Sequence, residues 1–170
     1  MGHHQKFSGK KIEYFDPEEN TSYTPYVIET SIGVDRMVLA VLSHSYTVEQ
    51  LENGEERVVM KIPAPLAPIK VAVMPLVKKD GLPELAQKVM DELKFDFNCQ
   101  YEEKDSIGKR YRRQDAIGTP YCITVDHQSL EDGCVTVRER DTMSQERVPI
   151  TELRALIDKR VNLNNLLRNL

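Results

Sequence analysis

The chain has 170 residues, 40% of them hydrophobic and 29% charged, and its formal net charge is −4, which is typical of a folded soluble protein and excludes a disordered chain. Residues 1–66 hold 6 Lys and Arg against 10 Asp and Glu, whereas residues 67–170 hold 17 of each, so any nucleic-acid surface must be a local patch and not a basic domain. No apolar run approaches the ~18 residues of a membrane span, and the start lacks the apolar segment of a signal peptide, so we expect a cytoplasmic protein without a membrane partner.

The beginning of the chain is polar and rich in turn residues. We expect a loop or a short hairpin over residues 5–24, a strand at residues 26–28, and a helix from Met37 to about Tyr46. A strand that leads into an apolar helix through a glycine-containing turn is a suitable frame for a small ligand.

The segment between this strand and this helix suits an anionic ligand. Gly33 lets the backbone approach closely, and Arg36 at the helix start can hold phosphate oxygens with two hydrogen bonds. Glu29 and Ser31 lie two residues apart on an extended segment, so their side chains share a face that can hold an ammonium group. The alternative is a structural ion pair of Arg36 with Asp35 or Glu29, and both interpretations stay open at this point.

A proline-rich segment divides the chain. A short β-like run at residues 57–62 comes before it. The prolines at positions 63, 65 and 68 cannot donate backbone hydrogen bonds and hold the segment extended. We place a domain boundary there.

The elements after the boundary alternate between strands and helices. In chain order we predict a strand at 69–77, a helix at 82–93, a strand at 97–101, a helix at 107–117, strands at 121–125, 134–138 and 145–150, and a C-terminal helix that begins at a Thr151 cap. The order β-α-β-α-β-β-β-α predicts an α/β fold with a mixed β-sheet and flanking helices. Helical crossovers join its parallel strands, and a hairpin adds antiparallel strands at one edge.

The helix at 107–117 lies in the stretch IGKRYRRQDAIGTPYCITVD. Asp105 or Ser106 suits its N-cap, and Gly118 suits a left-handed stop. Ile107 and Tyr111 project to one side and can dock on a sheet, whereas the cations spread over the other side and face solvent or a polyanion. These cations are Lys109, Arg110, Arg112 and Arg113.

Further cations and aromatic rings extend this candidate RNA-binding set. The additional cations are Lys78, Lys79, Arg138 and Arg140, and the rings that could stack on bases are Tyr101, Tyr111 and Tyr121. The alternatives are a merely solvated helix face, tyrosines packed in or beside the core, and arginines at 138 and 140 that pair across strands.

Several motifs resemble one protein family. PYVIETSIGVDRMVLAVL at 25–42 resembles the third signature motif of class II aminoacyl-tRNA synthetases, in the version of the homodimeric glycyl-tRNA synthetases. FSGK and YFDP at 7–17 resemble the segment before that motif, APLAPIK at 64–70 resembles the hinge, and residues 109–121 resemble the tRNA-binding domain. The matches follow the family's order and cover essentially the whole chain.

The resemblance implies roles for the residues around the third motif. Arg36 would contact the ATP phosphates as a catalytic residue, and Glu29 would face the amino group of glycine. The implied glycine pocket consists of Glu29, Thr30, Ser31, Ile32 and Gly33, and the implied ATP site of Gly33, Val34, Asp35 and Arg36. ATP would enter with Mg²⁺ as a co-substrate, and no tightly bound cofactor or resident metal is implied.

The resemblance also implies an organisation. Residues 1–62 would end an antiparallel class II catalytic domain, residues 63–68 would form a hinge, and residues 69–170 would bind the anticodon region of tRNA(Gly). The family's first two motifs should precede residue 1, so we expect a C-terminal piece of a homodimeric enzyme that does not aminoacylate alone. Separated from its sheet, the part at 1–66 is expected to be less ordered than 67–170 or to dimerise.

Two other function classes compete with this one. A stand-alone synthetase-like protein-interaction or regulatory module is the alternative, since residues 67–170 are near neutral. Steeply salt-dependent RNA binding would exclude it. A nucleotide-binding hydrolase is disfavoured, because the four histidines are scattered and no glycine loop cradles phosphates. Cys99, Cys122 and Cys134 stand singly and are expected to be reduced core residues.

Overall fold

The computed structural model describes residues 1–168. These residues divide into two compact units, Met1–Met37 and a larger unit that begins at Val38. The smaller unit has no core, because no residue before Ser45 is buried. The larger unit contains the α/β sheet and both clusters of buried apolar side chains.

The N-terminal unit contains a short helix, α1 (Gly2–Ser8), and a hairpin of β1 (Tyr14–Asp16) and β2 (Thr21–Tyr23). The hairpin fulfils the expectation for residues 5–24, whereas α1 was not expected. The side chain of Asp16 accepts a hydrogen bond from the backbone N–H of Glu18 at 2.9 Å and so closes the hairpin turn.

The predicted strand at residues 26–28 is wrong. The segment from 24 to 33 has no regular structure, and Tyr26 and Ile28 are fully exposed. A strand exists only where a neighbouring strand takes up its backbone hydrogen bonds. Among residues 1–168 no strand lies beside this segment.

The predicted helix after this segment is confirmed as α2 (Val34–Ser45). Its apolar residues do not pack into a core: Met37, Val38, Leu39 and Leu42 are all 41–66% exposed. The helix therefore presents an uncovered apolar face.

A hairpin that the sequence analysis did not fully foresee follows α2. It consists of β3 (Tyr46–Gln50) and β4 (Glu56–Met60), paired antiparallel, of which only β4 was expected. In β4 every second residue is buried, so Arg57 and Val59 share the inner face.

The proline-rich segment then forms one 3₁₀ turn, Ala64–Leu66. The carbonyls of Ala64 and Pro65 in this turn accept hydrogen bonds from Lys70 Nζ at 3.2 and 2.7 Å. The placement of a domain boundary at 63–68 stays a prediction.

The sheet of the larger unit has the predicted topology. Its strands are β5 (Val71–Pro75), β6 (Cys99–Tyr101), β7 (Tyr121–Val125), β8 (Cys134–Glu139) and β9 (Gln145–Pro149), and its helices are α3 (Leu82–Leu93), α4 (Ile107–Ile117), α5 (Ser129–Asp132), α6 (Ile150–Val161) and α7 (Leu163–Leu167). The spatial order is β6-β5-β7-β8-β9. The first three strands are parallel and the last two are added antiparallel.

Both faces of the sheet are covered over its central strands. One face packs against α3 and α6. In α3 the buried residues Leu82, Ala86, Val89 and Leu93 recur at helical spacing. On the other face Ile107 and Tyr111 of α4 pack on a smaller apolar cluster, as expected. Every residue of β5 and of β7 is buried, which explains their nearly unbroken apolar sequences.

Gly118 ends α4 in the left-handed conformation that the sequence predicts, with φ 88°. Its N–H donates to the carbonyls of Gln114 and Asp115. A Cβ at this position would come within 3.0 Å of the carbonyl oxygen of Met60 and 3.1 Å of Ile62. Glycine is therefore required both by the backbone angle and by the close approach of β4.

Two smaller expectations need correction. The helix α6 begins at Ile150, directly after the strand β9 ends at Pro149, so Thr151 lies in the first turn and does not cap it. Of the three cysteines, only Cys122 is fully buried, and burial raises its pKa to about 12. Cys99 and Cys134 are half-buried.

The hairpin contributes acid-dependent stability through Glu49. The hydrogen bond from Lys61 lowers the pKa of Glu49 below its ordinary value of 4.5, and Arg57 adds to this effect, while partial burial opposes it. Because the folded-state pKa is depressed, this stability is present above the unfolded-state pKa and is lost as the pH falls through the folded-state pKa.

We therefore expect Glu49→Gln to lower the urea midpoint at neutral pH and to have a smaller effect at about pH 4, below the ordinary pKa of 4.5, where part of this stability is already lost. Urea unfolding at both pH values measures this, with Glu52→Gln, in the exposed turn of the same hairpin, as the control. An equal loss at both pH values would contradict the assignment.

Candidate nucleic-acid interface

The structure separates the four cations of α4 that the sequence placed on one outward face. Arg110 is only 3% exposed, so the expectation that it faces solvent is wrong: its guanidinium points into the fold. Arg112 and Arg113 are partly exposed, and only Lys109 is fully exposed. The neighbouring carboxylates are Glu102 and Asp105, which form ion pairs with Arg113, and Glu55, which lies 3.8 Å from Arg112.

Arg138 and Arg140 are buried as well, at 5% and 3% exposure. They were expected on one strand face, but β8 ends at Glu139, so Arg140 lies in the turn that follows. Its Nη1 donates to the carbonyl of Gly118 at 2.8 Å, and Asp141 pairs with the same guanidinium. Neither arginine is accessible to a polyanion in this conformation.

A buried carboxylate holds Arg138 in place. Asp115 of α4 is 0% exposed and accepts two hydrogen bonds from Arg138, at 2.8 and 3.1 Å. Its second partner is Arg57 of β4, whose Nε donates at 2.9 Å. Arg57 also pairs with Glu49 at 2.7 Å and donates to the carbonyl of Arg140. One carboxylate thus joins the hairpin, α4 and the sheet.

The tyrosines follow the packing alternative. Tyr121 is 6% exposed, and the guanidinium of Arg160 lies 5.4 Å from its ring centroid. Tyr111 packs on the sheet, its hydroxyl lies 2.6 Å from Thr124 Oγ1, and Arg138 lies 4.7 Å from its ring centroid. Burial raises the pKa of the Tyr111 hydroxyl. A base cannot stack on these rings without displacing their neighbours.

Three accessible lysines lie together at one edge of the sheet instead. We call this the carboxyl edge, the three loops 76–81, 102–106 and 126–128 that follow the parallel strands β5, β6 and β7. Open α/β sheets bind ligands outside the carboxyl ends of their strands. The exposed cations on these loops are Lys78, Lys79 and Lys104. Lys109, in the first turn of α4, follows the loop 102–106 closely in sequence and is also exposed.

The loops of the carboxyl edge are tied to one another. His127 Nε2 lies 3.1 Å from Asp80 Oδ2, and Lys78 Nζ lies 3.6 Å from Glu103. Arg113 Nη2 donates to the carbonyl of Lys104 at 2.6 Å. These ordered loops therefore present three exposed lysines among five carboxylate residues.

In the N-terminal unit, the predicted ligand segment is open to solvent. Ser31 donates a hydrogen bond to Glu29 at 2.9 Å, so these two side chains share a face as expected. Arg36 lies in the first turn of α2, and its side chain comes within 3.9 Å of the position where Gly33 would carry a Cβ. Within residues 1–168, Arg36 pairs with neither Asp35 nor Glu29, so the structure does not support the alternative of a structural ion pair.

Sequence reasoning missed Arg57 and Asp115, the two residues of the buried network that it never singled out. A signal for Arg57 was present: it lies two residues before Val59 in a β-like run, so the two side chains share a face. No comparable signal identified Asp115, because a carboxylate among arginines on a helix also fits an exposed surface.

The mixed sheet, its flanking helices and the exposed lysines of its carboxyl edge define an α/β ligand-binding module. The family profile described as the anticodon binding domain matches residues 70–160. The chain belongs to this family, whose description implies tRNA binding, and the resemblance and fold derived from the sequence are confirmed.

Curated relatives are more specific. The chain is 53% identical to a "Glycine--tRNA ligase" of Borrelia hermsii, over 90% of this chain and 35% of the relative. It is also 53% identical to that of Clostridium perfringens, over 94% of this chain and 34% of the relative. The chain thus spans about a third of the length of these ligases.

A solved structure supports the fold. The RNA-binding domain of threonyl-tRNA synthetase from Cryptosporidium parvum superposes with a TM-score of 0.54 and 24% identity, covering 59% of this chain and 25% of that chain. Within residues 1–168, no helix is both long and apolar enough to span a bilayer.

Replacement of the buried carboxylate tests the network. We expect Asp115→Asn to lower the free energy of unfolding by about 3–5 kcal/mol, because it leaves two buried guanidiniums without their shared counter-charge. Asp91→Asn is the control, since Asp91 is a helical carboxylate whose pair with Lys94 is exposed, and it should leave the urea midpoint nearly unchanged. Equal effects of the two variants would show that Asp115 does not organise the fold.

Proposed function

We propose that this chain is part of a glycine–tRNA ligase and that its unit from Val38 onward binds the anticodon region of tRNA(Gly). The observation that carries the proposal is the identity of 53% over 90% of the chain with a ligase of that name. This match extends well beyond the 70–160 range of the anticodon-binding family. It therefore also supports a role for the residues that precede this domain.

The carboxyl edge is the surface proposed for the anticodon loop. A single-stranded loop presents closely spaced phosphates and splayed bases, and cations on ordered loops suit the phosphates. The exposed lysines of the carboxyl edge and Lys109 are the main proposed contacts, and the partly exposed Arg112 and Arg113 extend this surface. Arg110, Arg138 and Arg140, proposed from the sequence as tRNA-binding residues, are buried and would act by holding the elements that carry the contacts.

The whole enzyme would join glycine to tRNA in two steps, ATP-dependent formation of glycyl-adenylate and acyl transfer to the tRNA 3′ end. Glu29 would face the glycine ammonium group, and Arg36 would hold ATP phosphates beside Mg²⁺. We propose a cytoplasmic homodimer. The exposed side chains around Arg36 support the further proposal that residues 1–170 alone do not catalyse aminoacylation.

The alternative of a stand-alone protein-interaction or regulatory module is not favoured. Both the family match and the relatives point to tRNA aminoacylation.

Equilibrium binding tests the proposal. We expect this chain to bind a glycine tRNA transcript more tightly than the same transcript with a replaced anticodon, because the anticodon bases lie in the site. Both affinities should fall with salt, with a slope of about −0.7 per phosphate contact in log–log form. Filter binding or fluorescence anisotropy at two salt concentrations measures both quantities.

Equal affinity for both transcripts would contradict anticodon recognition by this chain. The same titration with the full-length ligase then separates two explanations. If the full-length ligase discriminates between the transcripts, recognition needs the rest of the enzyme, and if it does not, the proposed function fails.

The role of Arg36 is testable in the full-length ligase. We expect Arg36→Ala to slow glycine-dependent ATP–pyrophosphate exchange by about 10²–10³-fold, because a positioned cation on the transferring phosphates is lost. Arg36→Lys keeps the charge but cannot make the paired hydrogen bonds of a guanidinium, so its exchange rate should lie between those of the wild type and Arg36→Ala. Anticodon binding should be unchanged in both variants. Full exchange activity in Arg36→Ala would refute the assignment.

A further inference from the structure

Arg110 is a buried cation whose hydrogen-bond partners are backbone carbonyls. Its side chain is 3% exposed, and within the described part of the chain it has no ion-pair partner. Its guanidinium donates to the carbonyl oxygens of Pro75, Leu76 at 3.1 Å, Asp105 at 3.1 Å and Glu102 at 3.5 Å. Burying a cation is unfavourable unless its donors are satisfied, and here several donors are used on main-chain oxygens.

These carbonyls belong to two different loops of the carboxyl edge. Pro75 and Leu76 lie where β5 passes into loop 76–81, and Glu102 and Asp105 belong to loop 102–106. The first loop carries Lys78 and Lys79, and the second carries Lys104. A planar guanidinium has a rigid arrangement of donors, so this buried side chain joins the two lysine-bearing loops at a defined distance, in addition to the exposed Lys78–Glu103 ion pair.

Both loops contain a residue in a conformation that needs such support. Asp80 has φ 64° and Asp105 has φ 72°, in the left-handed region that residues other than glycine rarely adopt. Arg113 holds the second loop from the other side, with Nη1 2.7 Å from Asp105 Oδ2. The loops are therefore held in one ordered arrangement before any ligand arrives.

We propose that Arg110 is a positioning residue for tRNA. It does not touch RNA, but it spaces the loops so that Lys78, Lys79 and Lys104 meet phosphodiester groups of the anticodon loop together. The inference rests on the proposed function. Binding is favoured by this arrangement because the ordering of the loops is completed during folding and not during association.

The test compares Arg110→Lys with the wild type in binding to the glycine tRNA transcript. Lysine keeps the charge, but its compact ammonium cannot span both loops. We expect affinity to fall by about three- to thirtyfold, with a salt slope shallower by about one to two phosphate contacts. Arg154→Lys, at a 70% exposed side chain, is the matched control and should bind as the wild type does.

A double-mutant cycle separates positioning from mere support of the fold. In a background of Lys78→Ala, Lys79→Ala and Lys104→Ala, the further change Arg110→Lys should have little additional effect on affinity, because the cations that it positions are absent. An equal loss in both backgrounds, or no loss in either, would overturn the proposal.

Two measurements keep the outcomes distinct. Urea unfolding checks that Arg110→Lys is folded at the assay temperature, and if it is not, Arg110→Gln takes its place in the same cycle because it removes the buried charge. Absence of tRNA binding by the wild-type chain and by the full-length ligase would refute the proposed function. Wild-type binding with an additive cycle would refute only the role of Arg110.

Discussion

The larger unit depends on one buried carboxylate. Asp115 lies in the last turn of α4, where the helix dipole disfavours a negative charge. Its two arginine partners come from β4 and β8, elements far apart in sequence. Together with Glu49 the group is electrically neutral, so a set of charges that would be costly to bury singly becomes acceptable. The hairpin β3–β4, α4 and the sheet consequently share one anchor.

This arrangement gives the arginines of the basic helix α4 a structural role. In α4, Arg110 holds loops of the sheet and Arg113 holds a turn, so these cations serve the architecture first. Exposed lysines are found on the loops at the carboxyl edge, where short segments follow the parallel strands. An RNA-binding surface can thus be built on a unit with equal numbers of acidic and basic residues, because the arginines support the lysines from within.

The fold was predictable in large part because its signals are local. Helical spacing of apolar residues in α3, unbroken apolar runs in β5 and β7, and glycine at the end of α4 each specify an element without reference to the rest of the chain. The site was predictable only in part. Burial of Arg110, Arg138 and Arg140 depends on partners up to several tens of residues away, and no periodicity records them. The strand expected at 26–28 failed for a related reason, since it needs a neighbouring strand.

The sequence by itself determined the order of the five strands of the mixed sheet and of their crossover helices, and the family, because motifs and periodicity act over short distances along the chain. The site around Arg36 stays a prediction. The tertiary structure alone decided which cations remain accessible. The same spacing of arginines in the sequence fits a solvent-exposed helix face and a set of buried ion pairs. Only the packing of β4, α4 and β8 around Asp115 distinguishes these two arrangements. The lysines of the carboxyl edge lie outside that packing and remain exposed.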